Sequence, residues 1–150
     1  MRVAVAFDHR GVKLREVVIE SVTAHGDAVD LGTDTDAVRI DYPDKARDIG
    51  MAIRRGEADR GVFVCGSGVG ASVAATKIPG IRAAICHDTY SAHQGVEHDD
   101  MNVLCLGSEI VGAELTRELV RAFLGARFIG GGRYSDRLTK VAELERMTDG

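Results

Sequence analysis

A cysteine followed directly by a glycine-rich turn is the feature of this sequence that most strongly indicates chemistry. Residues 61–72, GVFVCGSGVGAS, read as a buried strand ending at Cys65, a turn over residues 66–70 and a helix that begins near Val69. Glycines let backbone amides approach a bound atom, and a helix N-terminus favours negative charge. A thiolate beside such a site is suited to removing a proton from carbon while charge grows on a neighbouring oxygen.

The alternative for Cys65 is an ordinary core cysteine, since free cysteines are often buried and inert. The glycine turn and the helix start favour a reactive thiol, because both stabilise a thiolate. Cys86 and Cys105 lack such a setting, and we expect them in the core. The glycine spacing does not fit a nucleotide-binding loop, and no Gly-Lys-Ser/Thr follows it.

Further candidates follow the ends of the other predicted strands. Ligands of parallel α/β sheets bind beyond the carboxyl ends of the strands, so these positions are expected at one edge. Asp8 and His9 follow the first strand, His87 and Asp88 follow the fourth, and residues 107–109 follow the fifth. Asp8 could equally cap the helix that comes next.

Other candidates lie in loops and at helix ends. Tyr42 belongs either to a simple turn or to a surface that stacks on a ligand. His98 ends a helix, where an imidazole can be no more than a favourable charge. Arg133 and Arg137 share a helix face after three glycines, which fits a solvated surface or a phosphate clamp. The sequence contains no His-x-x-x-His or Cys-x-x-Cys pair, so we expect no metal site.

Composition limits the class of protein. The chain has 150 residues, 45% hydrophobic and 28% charged, which predicts one soluble domain over residues 1–150. Its formal net charge of −4 argues against nucleic-acid binding, and no apolar run approaches the roughly 18 residues of a membrane span. The N-terminus reads as a strand, not a signal peptide. The three cysteines, an odd number, indicate reduced thiols and a cytoplasmic location.

Strand-like and helix-like segments alternate along the chain. Strands are predicted over residues 2–7, 27–31, 61–65, 81–86 and 102–106. Helices are predicted over residues 11–24, 43–55, 69–77, 88–97, 112–124 and 135–147. The alternation predicts an α/β fold, a three-layer, doubly wound, Rossmann-like sheet of about five parallel strands with helices on both faces and a C-terminal helix.

Together and in order, these motifs resemble those of the ribose-5-phosphate isomerase B family, which includes the galactose-6-phosphate isomerase subunits. The similarity extends over nearly the whole chain. It comprises Asp8-His9-x-Gly11, Asp41-Tyr42-Pro43, Cys65-Gly66-Ser67-Gly68-Val69-Gly70, Ala74-Ala75-x-Lys77, Gly80-Ile81-Arg82-Ala83, His98 with Asn102-Val103-Leu104, and Gly131-Gly132-Arg133 with Arg137.

The resemblance implies an aldose–ketose isomerase of the pentose phosphate pathway that converts ribose 5-phosphate to ribulose 5-phosphate through a cis-enediolate, without a cofactor or a metal. The implied catalytic residues are Cys65, Ser67, His98 and Asp8. The implied substrate and phosphate ligands are His9, Tyr42, Gly66, Gly68, Val69, Gly70, Asp99, Arg133 and Arg137. The family completes its site across a subunit interface, so a homodimer or tetramer is implied.

Two positions depart from the family pattern. Glu109 stands where members acting on ribose 5-phosphate usually carry a phosphate-binding Arg, and Asp99 stands where Asn usually follows the His. Both changes add negative charge, which Arg10, where the family often has a small residue, can offset in part. The alternatives are an isomerase of a four-carbon, six-carbon or unphosphorylated sugar, and a noncatalytic sensor of a sugar phosphate or nucleotide.

Overall fold

The structure, a computed structural model, describes residues 1–147 and contains a sheet of five parallel strands between helices. The last three residues of the predicted domain lie outside the described residues. The strands are β1 (Arg2–Phe7), β2 (Asp27–Asp30), β3 (Arg60–Cys65), β4 (Ala83–Ile85) and β5 (Val103–Gly107). Their spatial order is β2-β1-β3-β5-β4, which confirms the predicted doubly wound α/β sheet.

Six α-helices and one short 3-10 segment connect the strands within residues 1–147. The 3-10 segment is Gly11–Leu14, and the helices are α1 (Arg15–Thr23), α2 (Tyr42–Arg54), α3 (Val69–Ala75), α4 (Thr89–Asp99), α5 (Ala113–Gly125) and α6 (Gly132–Glu145). None of these helices combines the length and apolarity that a bilayer-spanning helix needs.

Alternation along each strand divides the core into two layers. Val62 and Val64 of β3 point to one face, where α1, α4 and α5 pack. Phe63 and Cys65 point to the other face, where α2 and α3 pack. Apart from Arg2 and Arg60, the residues of the three central strands are buried, which explains their nearly continuous apolar sequences. Cys65 therefore lies on the α2–α3 face, at the carboxyl end of the middle strand.

The structure differs from the prediction mainly at helix starts. The segment predicted as one helix over residues 11–24 begins with the 3-10 turn, because the Asp8 side chain binds the first amides there. The last helix begins at Gly132, earlier than the predicted residue 135. Ser135 closes its first turn, since the Ser135 Oγ accepts a 2.8 Å hydrogen bond from the Gly131 amide.

Candidate active site

Cys65 lies where the core meets the edge of the sheet. The residue is 4% exposed, and its Sγ accepts a 3.2 Å hydrogen bond from the Gly68 amide. An amide that points at sulfur stabilises its negatively charged form. The structure therefore holds the thiol against the glycine turn that the sequence predicts.

The turn itself supplies further backbone donors. Gly68 has a φ of 81°, and a Cβ on it would lie 3.1 Å from the backbone of β5, so only glycine fits this position. Of the five amides expected to face a ligand, two are already paired, Gly68 with the thiol and Val69 with the Ser67 Oγ at 3.2 Å. The amides of Gly66, Ser67 and Gly70 donate to no group within residues 1–147. These three amides are the donors that remain for an anion.

Asp8 caps the segment that follows β1, and one of its carboxylate oxygens stays available for another contact. One carboxylate oxygen, Oδ1, accepts hydrogen bonds from the amides of Arg10 at 2.9 Å and Gly11 at 2.8 Å, which is the capping interaction. The other carboxylate oxygen, Oδ2, accepts no hydrogen bond from the residues that the structure describes. Within residues 1–147, every fully buried side-chain oxygen has a hydrogen-bond partner, so Oδ2 is not fully buried and reaches the surface. The cap thus fixes Asp8 while one oxygen faces the edge of the sheet.

His9 and Tyr42 belong to the same edge. The His9 Nδ1 lies 3.1 Å from the amide nitrogen of Ile40, which ties the loop before α2 to the end of β1. The Tyr42 ring lies against the turn, since a Cβ on Gly70 would be 2.8 Å from its Cζ. We call Asp8, His9, Tyr42, Cys65 and residues 66–70 the thiol cluster.

Two further side chains lie beside the thiol cluster. The His87 Nε2 accepts a 3.0 Å hydrogen bond from the amide of Gly107, which pairs with Cys65 across the sheet. Burial lowers the pKa of His87, although the Asp88 carboxylate opposes that effect. Only the strand-end rule indicated His87 from sequence. Glu109 is exposed and forms a 2.8 Å ion pair with Lys13, and this hydrogen bond lowers the pKa of the Glu109 carboxyl.

The remaining predicted residues are His98, Asp99, Arg133 and Arg137, and together with Tyr134 they form a second group, which we call the distal cluster. The His98 ring centroid lies 4.9 Å from that of Tyr134. The Arg133 guanidinium lies 5.1 Å from the same tyrosine ring and donates a 3.1 Å hydrogen bond to its hydroxyl. Tyr134 links the two helices that carry this cluster, and sequence reasoning did not single it out.

The two clusters lie at opposite ends of the parallel strands, the thiol cluster at the carboxyl ends and the distal cluster towards the amino ends. The end of α4 is anchored beside the start of β4, where Arg82 forms a 2.9 Å ion pair with Asp100. In the strand registers, residue 82 is level with residue 60, whereas Cys65 lies five residues further along β3. At roughly 3.3 Å per residue, the level of residue 82 and the level of Cys65 are about 16 Å apart along the strands. One chain does not bring His98 close to Asp8 or Cys65.

The part of the chain that the structure describes has a groove near the clusters but no group of metal ligands. Within residues 1–147, no three His, Cys, Asp or Glu side chains lie close enough together to bind a metal ion. A groove of about 510 Å³ between β4, α4 and α6 is lined by Asp99, Leu138 and Val141, among others. Its lining includes no residue of the thiol cluster. The groove therefore adjoins the distal cluster alone.

Comparisons with known proteins agree with the fold and show the family. The family model described as Ribose/Galactose Isomerase matches residues 3–141. Ribose-5-phosphate isomerase B of Escherichia coli is 39% identical over 97% of each chain. D-erythrulose-4-phosphate isomerase of Pectobacterium atrosepticum is 36% identical over 98% of this chain and 97% of its own. The structure of Mycoplasma genitalium ribose-5-phosphate isomerase B with bound ribulose-5-phosphate superposes with a TM-score of 0.89 and 34% identity, over 98% of this chain and 97% of that one.

Proposed function

The chain belongs to the ribose/galactose isomerase family, and from that premise we propose that it interconverts ribose 5-phosphate and ribulose 5-phosphate. Its relatives are aldose–ketose isomerases of sugar phosphates, and so is this protein. The observation that carries the proposed reaction is the Cys65 sulfur, held by one amide of a turn whose neighbouring amides are unused. That combination provides a base for carbon and a site for the resulting oxyanion.

Cys65 acts as the base in the proposed reaction. As a thiolate it removes the proton from C2 of the open-chain aldose, and the electron pair moves to O1 to give a cis-enediolate. The same sulfur returns the proton to C1, which forms the ketose. The Gly68 amide keeps the thiolate oriented between the two carbons.

The turn stabilises the enediolate. The free amides of Gly66, Ser67 and Gly70 donate to the oxyanion, and in other enzymes one such donor contributes about 3–4 kcal/mol to transition-state stabilisation. The Ser67 hydroxyl accepts its hydrogen bond from Val69, so it keeps its own proton to donate. Ser67 thereby moves a proton between the two enediol oxygens. Tyr42 covers the turn and limits the access of water.

Ring opening and phosphate binding require the distal cluster of a second copy. His98 moves a proton between the ring oxygen and the anomeric hydroxyl, with the surface-facing oxygen of Asp8 beside it. Arg133 and Arg137 bind the phosphate together with His9, and Asp99 contacts the substrate. A homodimer, or a tetramer built from dimers, brings the thiol cluster of one chain to the distal cluster of its partner.

Exposed apolar side chains support such an assembly. No residue of α6 is buried, and the helix presents Val141 and Leu144, which are 41% and 65% exposed. On α3, Val69 and Val73 are 54% and 55% exposed. Apolar surface of this kind at both clusters favours contact with another copy.

We also propose the cellular setting. The free cysteines Cys65, Cys86 and Cys105 fit a reducing compartment, so the proposed location is the cytoplasm. The proposed pathway is the pentose phosphate pathway, and the chain is proposed to act as one domain without a cofactor, a nucleic-acid partner or a membrane. A four-carbon sugar phosphate is the second candidate substrate, because a relative that is 36% identical is named for D-erythrulose 4-phosphate.

Proton exchange at C2 tests the proposed chemistry. Ribose 5-phosphate incubated with the protein in deuterated water is expected to gain deuterium at C2, which NMR detects. Cys65→Ala is expected to lose about 10²- to 10⁴-fold of the exchange rate. Cys86→Ala is the matched control, because burial raises the pKa of that thiol to about 11 and it faces the opposite core layer. Unchanged exchange in Cys65→Ala would refute the thiol base, and exchange only with tetrose phosphates would favour the four-carbon substrate.

A further inference from the structure

The side chain of Arg10 lies on the turn that carries the thiol. A Cβ on Gly66 would lie only 2.6 Å from the Arg10 Nε, so the guanidinium packs directly against the Gly66 backbone. Arg10 is nevertheless an exposed residue. Its planar charged group therefore forms part of the surface next to Cys65.

The backbone of Arg10 is fixed from two sides. Its amide donates a 2.9 Å hydrogen bond to the Asp8 Oδ1, and its carbonyl accepts a 2.7 Å hydrogen bond from the Ser108 Oγ. These bonds connect the ends of β1 and β5 across the end of β3. The fixed backbone sets where the side chain starts, and its packing on Gly66 restricts the guanidinium, which reduces the entropy lost on binding a ligand.

The charge of Arg10 has no direct counterion. Among residues 1–147, Arg10 takes part in none of the ion pairs. The nearby Glu109 pairs with Lys13 instead, although Arg10 also helps to lower the pKa of the Glu109 carboxyl. A guanidinium that is fixed, exposed and without a carboxylate has donors available for an anion from solution.

The neighbouring His9 adds a second donor. The His9 ring is anchored at Nδ1, which lies 3.1 Å from the amide nitrogen and 3.2 Å from the carbonyl oxygen of Ile40, so Nε2 is the ring nitrogen left to contact a ligand. The oxyanion of the reaction already has the three free amides of the turn. We propose that Arg10, together with His9, binds the phosphate of the substrate and thereby determines specificity for phosphorylated sugars, an inference that rests on the proposed function.

Calorimetry with inorganic phosphate tests this role without turnover. Arg10→Ala is expected to weaken phosphate binding about tenfold, and Arg10→Lys less, because lysine keeps the charge but loses the planar fork. Arg121→Ala is the matched control, since it removes the same charge from an exposed site on α5. Phosphate affinity of Arg10→Ala within about twofold of wild type would overturn the proposal.

Kinetics separates phosphate binding from a role at the reacting carbons. In Arg10→Ala the KM for ribose 5-phosphate is expected to rise about tenfold with little change in kcat, while kcat/KM for unphosphorylated ribose stays the same. An equal loss of kcat on both sugars would overturn the proposal. If wild type turns over no sugar phosphate and phosphate binding still depends on Arg10, the proposed function fails and the role of Arg10 stands.

Discussion

The thiol cluster and the distal cluster are built in different ways. The thiol cluster sits on the ends of the adjacent strands β1 and β3 and on the start of α2, and backbone hydrogen bonds fix Asp8, Cys65 and residues 66–70. The distal cluster sits on the end of α4 and the start of α6, where ring contacts to Tyr134 connect His98 and Arg133. The first is held by backbone hydrogen bonds and is the proposed reaction centre, and the second is a set of charged and aromatic side chains at the surface.

The difference fits the proposed division of the reaction between the two clusters. Base and oxyanion groups need precise placement, and the ends of parallel strands provide it. Phosphate and ring-opening groups tolerate helix-borne side chains, which a second copy can present across an interface. About 16 Å along the strands separates the level of Cys65 from that of residue 82, which anchors the end of α4, so in the proposed dimer each site combines the thiol cluster of one chain with the distal cluster of the other.

Mixing two inactive variants gives the largest expected effect. Cys65→Ala and His98→Ala are each expected to lose about 10²- to 10⁴-fold of kcat, because each removes a proton-transfer group. After the two are unfolded together and refolded, half of the dimers are mixed, and each mixed dimer has one intact site. Activity is therefore expected to recover to about a quarter of wild type in the isomerase assay.

The control for this mixture is a chain that carries both substitutions. Refolded with wild type, the double variant leaves every mixed dimer with two defective sites. Cys65→Ala that is unfolded and refolded alone under the same conditions should recover no activity. Failure of the Cys65→Ala and His98→Ala mixture to recover, with mixed dimers demonstrated by mass spectrometry, would place both residues in the site of a single chain.

Changing the charge at the rim of the thiol cluster gives a smaller effect. Glu109→Arg is expected to lower the KM for phosphorylated sugars about three- to tenfold, because it replaces an ionised carboxylate near Arg10 with a phosphate donor. Glu114→Arg is the matched control, since it makes the same charge change at a fully exposed position on α5. Weaker binding in Glu109→Arg would show that residue 109 does not face the phosphate.

Sequence reasoning found the fold and most of the thiol cluster for one physical reason. Strand ends and their following residues are local in sequence, so Asp8, His9 and Cys65 could be placed at one edge from apolar periodicity alone. The same rule reached His87, but its hydrogen bond to the Gly107 amide depends on strand pairing that periodicity does not specify.

The contacts between distant segments could not be predicted in this way. Tyr134 packs on His98, and the Arg10 guanidinium packs on Gly66, through side-chain directions that no local pattern encodes. The Lys13–Glu109 ion pair likewise joins residues far apart in sequence. It gives the Glu109 carboxylate a cation that the sequence analysis did not identify. The opposite placement of the two clusters follows only from the direction in which α4 runs.

The smallest expected effect concerns His87 and acid. Burial lowers the pKa of His87 below its ordinary value of 6.5, so the folded state binds a proton less readily than the unfolded chain. The contribution of His87 to the free energy of unfolding is therefore present above pH 6.5, and it is lost as the pH falls from there through the lower pKa of the folded state. His87→Gln, which can accept the Gly107 amide at any pH, is expected to flatten this loss by at most about 1 kcal/mol between pH 7 and pH 5, measured by urea denaturation. His25→Gln is the control, since His25 is exposed and follows the end of α1.

The role of the imidazole at the end of β5 would be contradicted if the stability of the wild type declined no more between pH 7 and pH 5 than that of His87→Gln.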